Sequence, residues 1–300
     1  MQQDECKGGY VLITPAYNEE AYLEKTIQSV IAQRLLPRKW VIVSDGSTDG
    51  TDEIVIKYAN KYRFIEFIRN ENKLKPKYGI ASRKVAAIQV GFKHLDGITY
   101  EYYGNLDADI SCAEDFYSTL IEKFKNNPKL GLGGSFVYNT YENKIYPYFD
   151  NPRGVGGPIQ FFRRQCWEDI GGYYPGAYED SIAVVMARMK GWEVQSFSDI
   201  RAYHHKCAGL PGRGQVHAKF HVGRMEHMMG DHILYEVARC AGDISKKPIV
   251  IGSLLRLLGY SWSALKGNAI QTPADVVKYM RNDQLQRLKN ILRLTSKKMK

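Results

Sequence analysis

The hydrophobic pattern changes period repeatedly in the first half of the chain. Tyr10-Val11-Leu12-Ile13 is a continuous apolar run, which predicts a strand buried on both faces. Leu23, Ile27, Val30 and Ile31 then recur at helical spacing, with Asn18 as the expected cap and Glu19 and Glu20 in the first turn. Trp40-Val41-Ile42-Val43 predicts a second strand. Ile54, Val55, Tyr58 and Ala59 form the inner stripe of a second helix, capped by Ser47 or Thr48. Residues 64–68 predict a third strand, 81–95 a third helix, and 99–106 a fourth strand ending at Asp107. This alternation implies an α/β fold: a mostly parallel sheet with helices on both faces.

Beyond Asp115 a helix is expected to about Phe124, closed by Asn126-Asn127-Pro128. Residues 131–160, rich in glycine and aromatics, read as strands and loops over a pocket mouth. A helix over 181–190 and a short strand over 193–197 follow. Past Pro211 the pattern stays mainly helical, which places a border near Leu210-Pro211-Gly212 and divides the chain into domain 1–210 and an extension 211–300. There is no internal repeat.

Composition adds a charge asymmetry. Hydrophobic residues at 44% and charged residues at 25% suffice for a large folded core. The net charge of +10 is concentrated late: residues 201–300 hold 18 Lys and Arg against 6 Asp and Glu, the first 200 hold 24 against 26. A polyanionic partner, anionic lipid or nucleic acid, suits that distribution. No aromatic RNA-binding pattern or zinc finger is present, so nucleic acid is not expected. Residues 249–265 are apolar but interrupted by Arg256, which argues against a spanning helix. Lys246, Lys247, Arg256 and Lys266 flank this stretch, and Tyr260 and Trp262 lie near one end; the composition suits a helix lying in a membrane surface. Residues 276–300 add eight Lys or Arg against one acid, Asp283. Five scattered cysteines (Cys6, Cys112, Cys166, Cys207 and Cys240) form no CxxC pair and point to a reducing compartment. The first ten residues lack the apolar segment of a signal peptide.

The chemistry sits at the ends of the expected strands. TPAYNEE at 14–20, SDGSTDG at 44–50 and LDADI at 106–110 each follow an apolar or aromatic run, where open α/β sheets bind ligands. Asp107 and Asp109, at the turn leaving a strand, can reach one centre and suit a hard cation such as Mg²⁺ or Mn²⁺; acids are also ordinary turn residues. Asp45 can serve a turn or accept a hydrogen bond from a base or ribose, while Pro15 and Tyr17 offer a rigid turn and an aromatic face. Asp180 precedes a helix and is either an N-cap or a general base. His204 and His205 are surface residues or a metal ligand. Lys73, Lys75 and Lys77 are a solvated loop or a phosphate contact. Neither GxxxxGK[ST] nor a GxGxxG after the first strand is present, which argues against a P-loop protein and a dinucleotide oxidoreductase.

Taken in order, TPAYNEE, SDGSTDG, RNEN, GIASRKVAAIQVG, LDADI, GPIQFFRRQCWEDIGGY, YED and ARMKGW resemble the family 2 glycosyltransferases over about residues 10–206. The resemblance implies the GT-A fold and an inverting transfer of sugar from a nucleotide-diphosphate sugar. It places the nucleotide on Pro15, Tyr17, Asn18, Glu19 and Asp45, with Ala81 and Arg83 near the diphosphate. Asp109 becomes the principal metal ligand, with Asp107 and His204 (in preference to His205) beside it. Asp180 becomes the base, next to Glu179. Lys84 stands where many relatives have Asn. The QxxRW motif and spanning helices of processive members are absent from the sequence, so addition of one or few sugars is expected. The acceptor is then a glycan or lipid-linked hydroxyl in cell-surface polysaccharide synthesis, reached by a cytoplasmic protein held peripherally on an anionic membrane face. A sugar-nucleotide-binding subunit without turnover is the alternative.

Overall fold

The computed structural model describes residues 9–71, 80–142, 144–176, 178–206, 215–244 and 249–298. The chain divides into two compact units, Met1–Pro175 with Glu179–Cys207, and Gly176–Tyr178 with Ala208–Lys300. The border expected at 210–212, Lys73, Lys75 and Lys77, and the pair Lys246 and Lys247 lie outside the described residues.

The first unit is built on a nine-stranded sheet. Its parallel half runs β3 (Ile65–Arg69), β2 (Lys39–Ser44), β1 (Tyr10–Ala16), β4 (Tyr102–Leu106). Helices α1 (Leu23–Ile31), α2 (Thr51–Ala59) and α3 (Ile80–Phe92) make the crossovers. Alternate residues enter different cores. Tyr10, Leu12, Trp40 and Ile42 join one buried cluster, while Val11, Ile13, Val41 and Val43 join the other. Both faces being covered, residues 10–13 of β1 and 40–43 of β2 leave no position for a polar side chain, hence the unbroken apolar runs. Each such side chain contributes about 1.5–3 kcal/mol through burial.

The second half of the sheet is mixed. It contains β5 (Ile110–Cys112), β6 (Leu130–Tyr141), β7 (Lys144–Phe149), β8 (Ile159–Arg163) and β9 (Glu193–His204), with α4 (Phe116–Asn126), α5 (Arg164–Ile170) and α6 (Glu179–Met189) between them. Strand β8 runs antiparallel to β4 and β6, β6 pairs parallel with β9, and β5 closes antiparallel on β9. Two expectations are corrected here. Residues 131–160 do not merely cover a pocket, since β6 lies within the sheet. The strand expected over 193–197 continues to His204. Its pairing to β6 skips residues 198–200, passing from Ser135 opposite Phe197 to Phe136 opposite Arg201; that irregularity breaks the alternation a sequence reading relies on.

The second unit is helical: α7 (Gln215–Met229), α8 (Ile233–Gly242), α9 (Ile251–Leu265) and α10 (Ala274–Lys298). Its interior is charged. Arg256, expected at the rim of an apolar face, is buried instead. Its Nε lies 2.7 Å from Glu236 Oε1 and 2.8 Å from Glu226 Oε2. Arg239 Nη2 reaches Glu236 at 2.8 Å and Asp231 at 3.1 Å. Glu226, Asp231 and Glu236 cluster tightly enough to hold a cation, but the two guanidinium groups already provide the positive charge. Removing one member of such a buried network leaves an uncompensated charge, at a cost of about 3–5 kcal/mol. No described helix is long and apolar enough to cross a membrane.

Candidate active site

The carboxyl ends of β1, β2 and β4 open into a cleft of about 430 Å³, lined by Pro15, Tyr17, Glu19, Asp45, Arg83, Lys84, Asp107, Asp109 and Lys206 among others. The first two sequence motifs are clasped together at its edge. Asn18 adopts a left-handed backbone (φ 52°), a conformation asparagine tolerates. Its N–H donates to Ser47 Oγ at 3.1 Å and its Oδ1 accepts from Thr48 N–H at 2.8 Å. Glu19 N–H donates to Thr51 Oγ1 at 2.8 Å, and Glu20 Oε2 accepts from Gly50 N–H at 2.7 Å. The capping expectations are therefore corrected: α1 begins only after Tyr22, α2 begins after Gly50, and neither takes a side-chain cap from Asn18, Ser47 or Thr48. Asn18 has better partners across the loop than in a helix it precedes by five residues.

One wall of the cleft is a single bonded set. Asp45 Oδ2 accepts from Arg83 Nε at 2.8 Å, its carbonyl from Arg83 Nη2 at 2.9 Å, and its Oδ1 from Asn70 Nδ2 at 2.9 Å. The Arg83 guanidinium lies 4.3 Å from the centroid of the Tyr17 ring. Ala81 belongs to α3, with its side chain outside the described set.

The opposite side gathers the acids. Asp109 is buried, and its Oδ2 stands 3.1 Å from His204 Nε2. His204 Nδ1 is 2.9 Å from Asn139 Oδ1. His204 thus bridges Asn139 and Asp109 through its two ring nitrogens. An imidazole nitrogen and a carboxylate oxygen 3.1 Å apart are a donor set that suits a divalent cation. His205 is turned away: its Nε2 meets Ser111 Oγ at 2.8 Å and its Nδ1 meets Thr140 Oγ1 at 3.2 Å. Asp107 is engaged differently from Asp109. Its Oδ1 lies 2.7 Å from Lys84 Nζ, which also approaches Glu179 Oε1 at 3.7 Å and the Gly157 carbonyl at 3.4 Å.

Asp180 sits in the first turn of α6 against the backbone of Gly157. A Cβ on residue 157 would come within 2.9 Å of Asp180 Cγ, so only glycine leaves room for this carboxylate. Asp180 is inside the helix, not at its cap, and its own Oδ1 accepts from Ser181 N–H at 2.7 Å.

Charge crowding perturbs the ionisations. Burial works against the Lys84 ammonium, but Asp107 and Glu179 outweigh it and hold its pKa above the ordinary lysine value. Glu179 is pushed up to about 7, chiefly by burial and also by Asp180, with Lys84 opposing. Burial likewise raises Glu19, against the pull of Lys206 at 2.6 Å. Burial raises the Tyr148 phenol, and Asp107 and Asp180 add to it; its ring lies 4.9 Å from that of His204.

Lys84, Lys206 and Tyr148 are site residues that sequence reasoning missed. Lys84 did carry a signal: six acids were assigned to one crevice with a single arginine, so another cation was required. Lys206 and Tyr148 gave none, because they reach the site from distant sequence, Lys206 just past the end of β9 and Tyr148 on β7.

A family model, Glycosyl transferase family 2, matches residues 11–177. Poly-beta-1,6-N-acetyl-D-glucosamine synthase of Staphylococcus aureus (strain COL) is 31% identical over 125 residues, 41% of this chain and 27% of that protein. The Staphylococcus epidermidis protein of the same name is 32% identical over 123 residues, again 41% and 27%. The match thus spans about a quarter of these relatives' length. Among solved structures, the mannosyltransferase PcManGT from Pyrobaculum calidifontis, in complex with GDP-Man and Mn²⁺, superposes with a TM-score of 0.55 at 18% identity, covering 93% of this chain and 80% of that one. S. aureus TarS 1-349 in complex with UDP-GlcNAc gives 0.52 at 16% identity, covering 93% and 81%. At these identities the likeness concerns the fold, which is GT-A.

Proposed function

The chain belongs to glycosyl transferase family 2, and from that premise we propose that it transfers a sugar, with inversion, from a nucleotide-diphosphate donor to a hydroxyl of a glycan or lipid-linked acceptor. The observation that carries this reading is the Asp109–His204 pair, with Asp109 in one cleft with the Tyr17–Asp45–Arg83 wall and with Lys84, which links that cleft to Glu179.

The residues divide the work as follows. Tyr17, Asp45 and the Asn18–Glu19 loop bind the nucleotide, with Arg83 close to its diphosphate. Asp109 and His204 would hold a divalent cation, Mn²⁺ or Mg²⁺, which would supply Lewis-acid neutralisation of the leaving diphosphate. Asp180 takes the proton from the attacking acceptor hydroxyl, while Glu179 beside it sets the local charge. Lys84 pins Asp107 and keeps the crowded acids from repelling one another. The cleft takes one donor and releases a single glycosylated product into polysaccharide assembly, at the cytoplasmic face of the membrane.

The test is thermal stabilisation across a panel of nucleotide sugars with and without Mn²⁺, followed by transfer or donor hydrolysis with each binder. A ligand bound only by the native state raises its stability by an amount that grows with concentration over Kd. No stabilisation by any nucleotide sugar would sink the donor assignment. Stabilisation without turnover would instead identify a binding subunit.

A further inference from the structure

Along α9 the second unit is polar on its inner side and apolar on its outer side. On α9, Gly252, Arg256, Gly259 and Ser263 face inward. The opposite stripe, Ile251, Leu254, Leu258, Trp262 and Leu265, recurs every three or four residues, and each member is more than half exposed, Leu265 at 86%. Helix α8 adds exposed Ile233, Leu234 and Val237. The helices meet through small residues: a Cβ on Gly223 of α7 would run into the Arg256 carbonyl, and one on Gly259 into that of Phe220. Such backbone contact at glycines, with charged groups tucked between helices, is the arrangement that apolar surroundings favour. In water alone it is unfavourable twice, because leucines stay wet and charges are buried.

Charge identifies what covers this face. Residues 208–300 carry 16 Lys and Arg against 6 Asp and Glu. Four of those acids, Glu226, Asp231, Glu236 and Asp243, pair with the inner Arg239 and Arg256. With those pairs set aside, the remaining charge of the unit is strongly basic. Lys266 marks the rim of the stripe, its ammonium 4.9 Å from the Trp262 ring centroid, a Trp–Lys pairing suited to headgroup depth. We propose that the outer face of α8 and α9 docks on a bilayer surface rich in anionic phospholipid, with the Ile251–Leu265 stripe entering the acyl boundary and Lys266 staying among the headgroups. A second copy of the chain fits less well, since it would press two basic units together. This deepens the membrane part of the proposed function and does not depend on the transfer chemistry.

The test is flotation of the full chain with phosphatidylcholine vesicles, with or without phosphatidylglycerol. The intact protein should float with the anionic vesicles at low salt, and high salt should release part of it. Leu254→Glu with Leu258→Glu, both exposed and so compatible with folding, should cut partitioning by about tenfold or more. The double variant should keep the wild-type thermal transition and donor stabilisation. As a second readout, brominated lipids should quench a component of tryptophan emission that Trp262→Phe removes. Failure of the wild type to float at low salt overturns the proposal. Flotation undiminished in the double variant also overturns it, because basic charge alone would then hold the protein. Self-association without flotation, abolished by the same substitutions, would assign the face to a second copy instead.

Discussion

Lys84 Nζ stands 2.7 Å from Asp107 Oδ1 in the cleft wall, and 3.7 Å from Glu179 Oε1. A lysine thus joins the carboxylate pair at the end of β4 to the first acid of α6. It lets Asp107 remain in a crowded acidic site without a cation of its own, leaving Asp109 to face His204.

Removing that ammonium should cost stability as well as turnover. Lys84→Met leaves Asp107 and Glu179 partly buried against each other, and should lower the thermal midpoint. Lys84→Met with Asp107→Asn should recover part of the loss. A double-mutant cycle should return a coupling of about 1 kcal/mol or more, the range for residues in one charged network. Additive losses would mean that the 2.7 Å contact carries no net interaction.

Asp180 is tested from two sides. Asp180→Asn should preserve folding and donor binding while lowering transfer by roughly 10²–10⁴-fold, the usual scale for loss of a general base. Gly157→Ala reaches the same group indirectly, since the added methyl occupies the space of the Asp180 carboxyl. It should lower kcat with little change in donor affinity, since a displaced base misses the acceptor proton. Near-normal turnover in Asp180→Asn removes this residue from the role, whatever Gly157→Ala does.

Much of this was legible beforehand, for a definable reason. Strands β1, β2 and β4 are short, buried on both faces and followed by polar residues, so their carboxyl ends could be located from the pattern alone. Asp45, Asp107 and Asp109 follow directly from that placement. What failed depended on contacts distant in sequence. Asn18 reads as a cap until its partners Ser47 and Thr48 are known. Arg256 reads as a surface charge until Glu226 and Glu236 surround it. The late part of β9 is hidden by its irregular pairing with β6, and with it Lys206.

The Asp109–His204 contact predicts a metal requirement with a graded response. Excess chelator should abolish transfer, and Mn²⁺ or Mg²⁺ should restore it. Asp109→Ala should lose the metal-dependent part of nucleotide-sugar stabilisation, because an unscreened diphosphate would meet a pocket of acids. His204→Ala should weaken the Mn²⁺ response more than His205→Ala, whose ring is engaged by Ser111 and Thr140. Equal effects of the two substitutions would contradict the assignment, and full activity in chelator would leave Arg83 or Lys84 to neutralise the leaving group.

Glu179 also makes stability depend on pH in a stated direction. Its folded pKa is about 7 against an ordinary value of 4.5, with burial as the first cause. Between those values the folded chain binds more protons than the unfolded chain, so this contribution is fully present below the lower value and is lost as pH rises through the upper one. The thermal midpoint should therefore be higher near pH 5.5 than near pH 8 on account of this group. Glu226 in the second unit, likewise raised to about 7 by burial, acts in the same sense. Glu179→Gln, which cannot ionise, should flatten the decline between the two pH values without abolishing it, because Glu226 still titrates. Scans of both proteins at matched ionic strength decide the matter: an identical decline in Glu179→Gln would show that this carboxyl is already charged well below pH 7 and that Lys84 stabilises its ionised form more than burial opposes it.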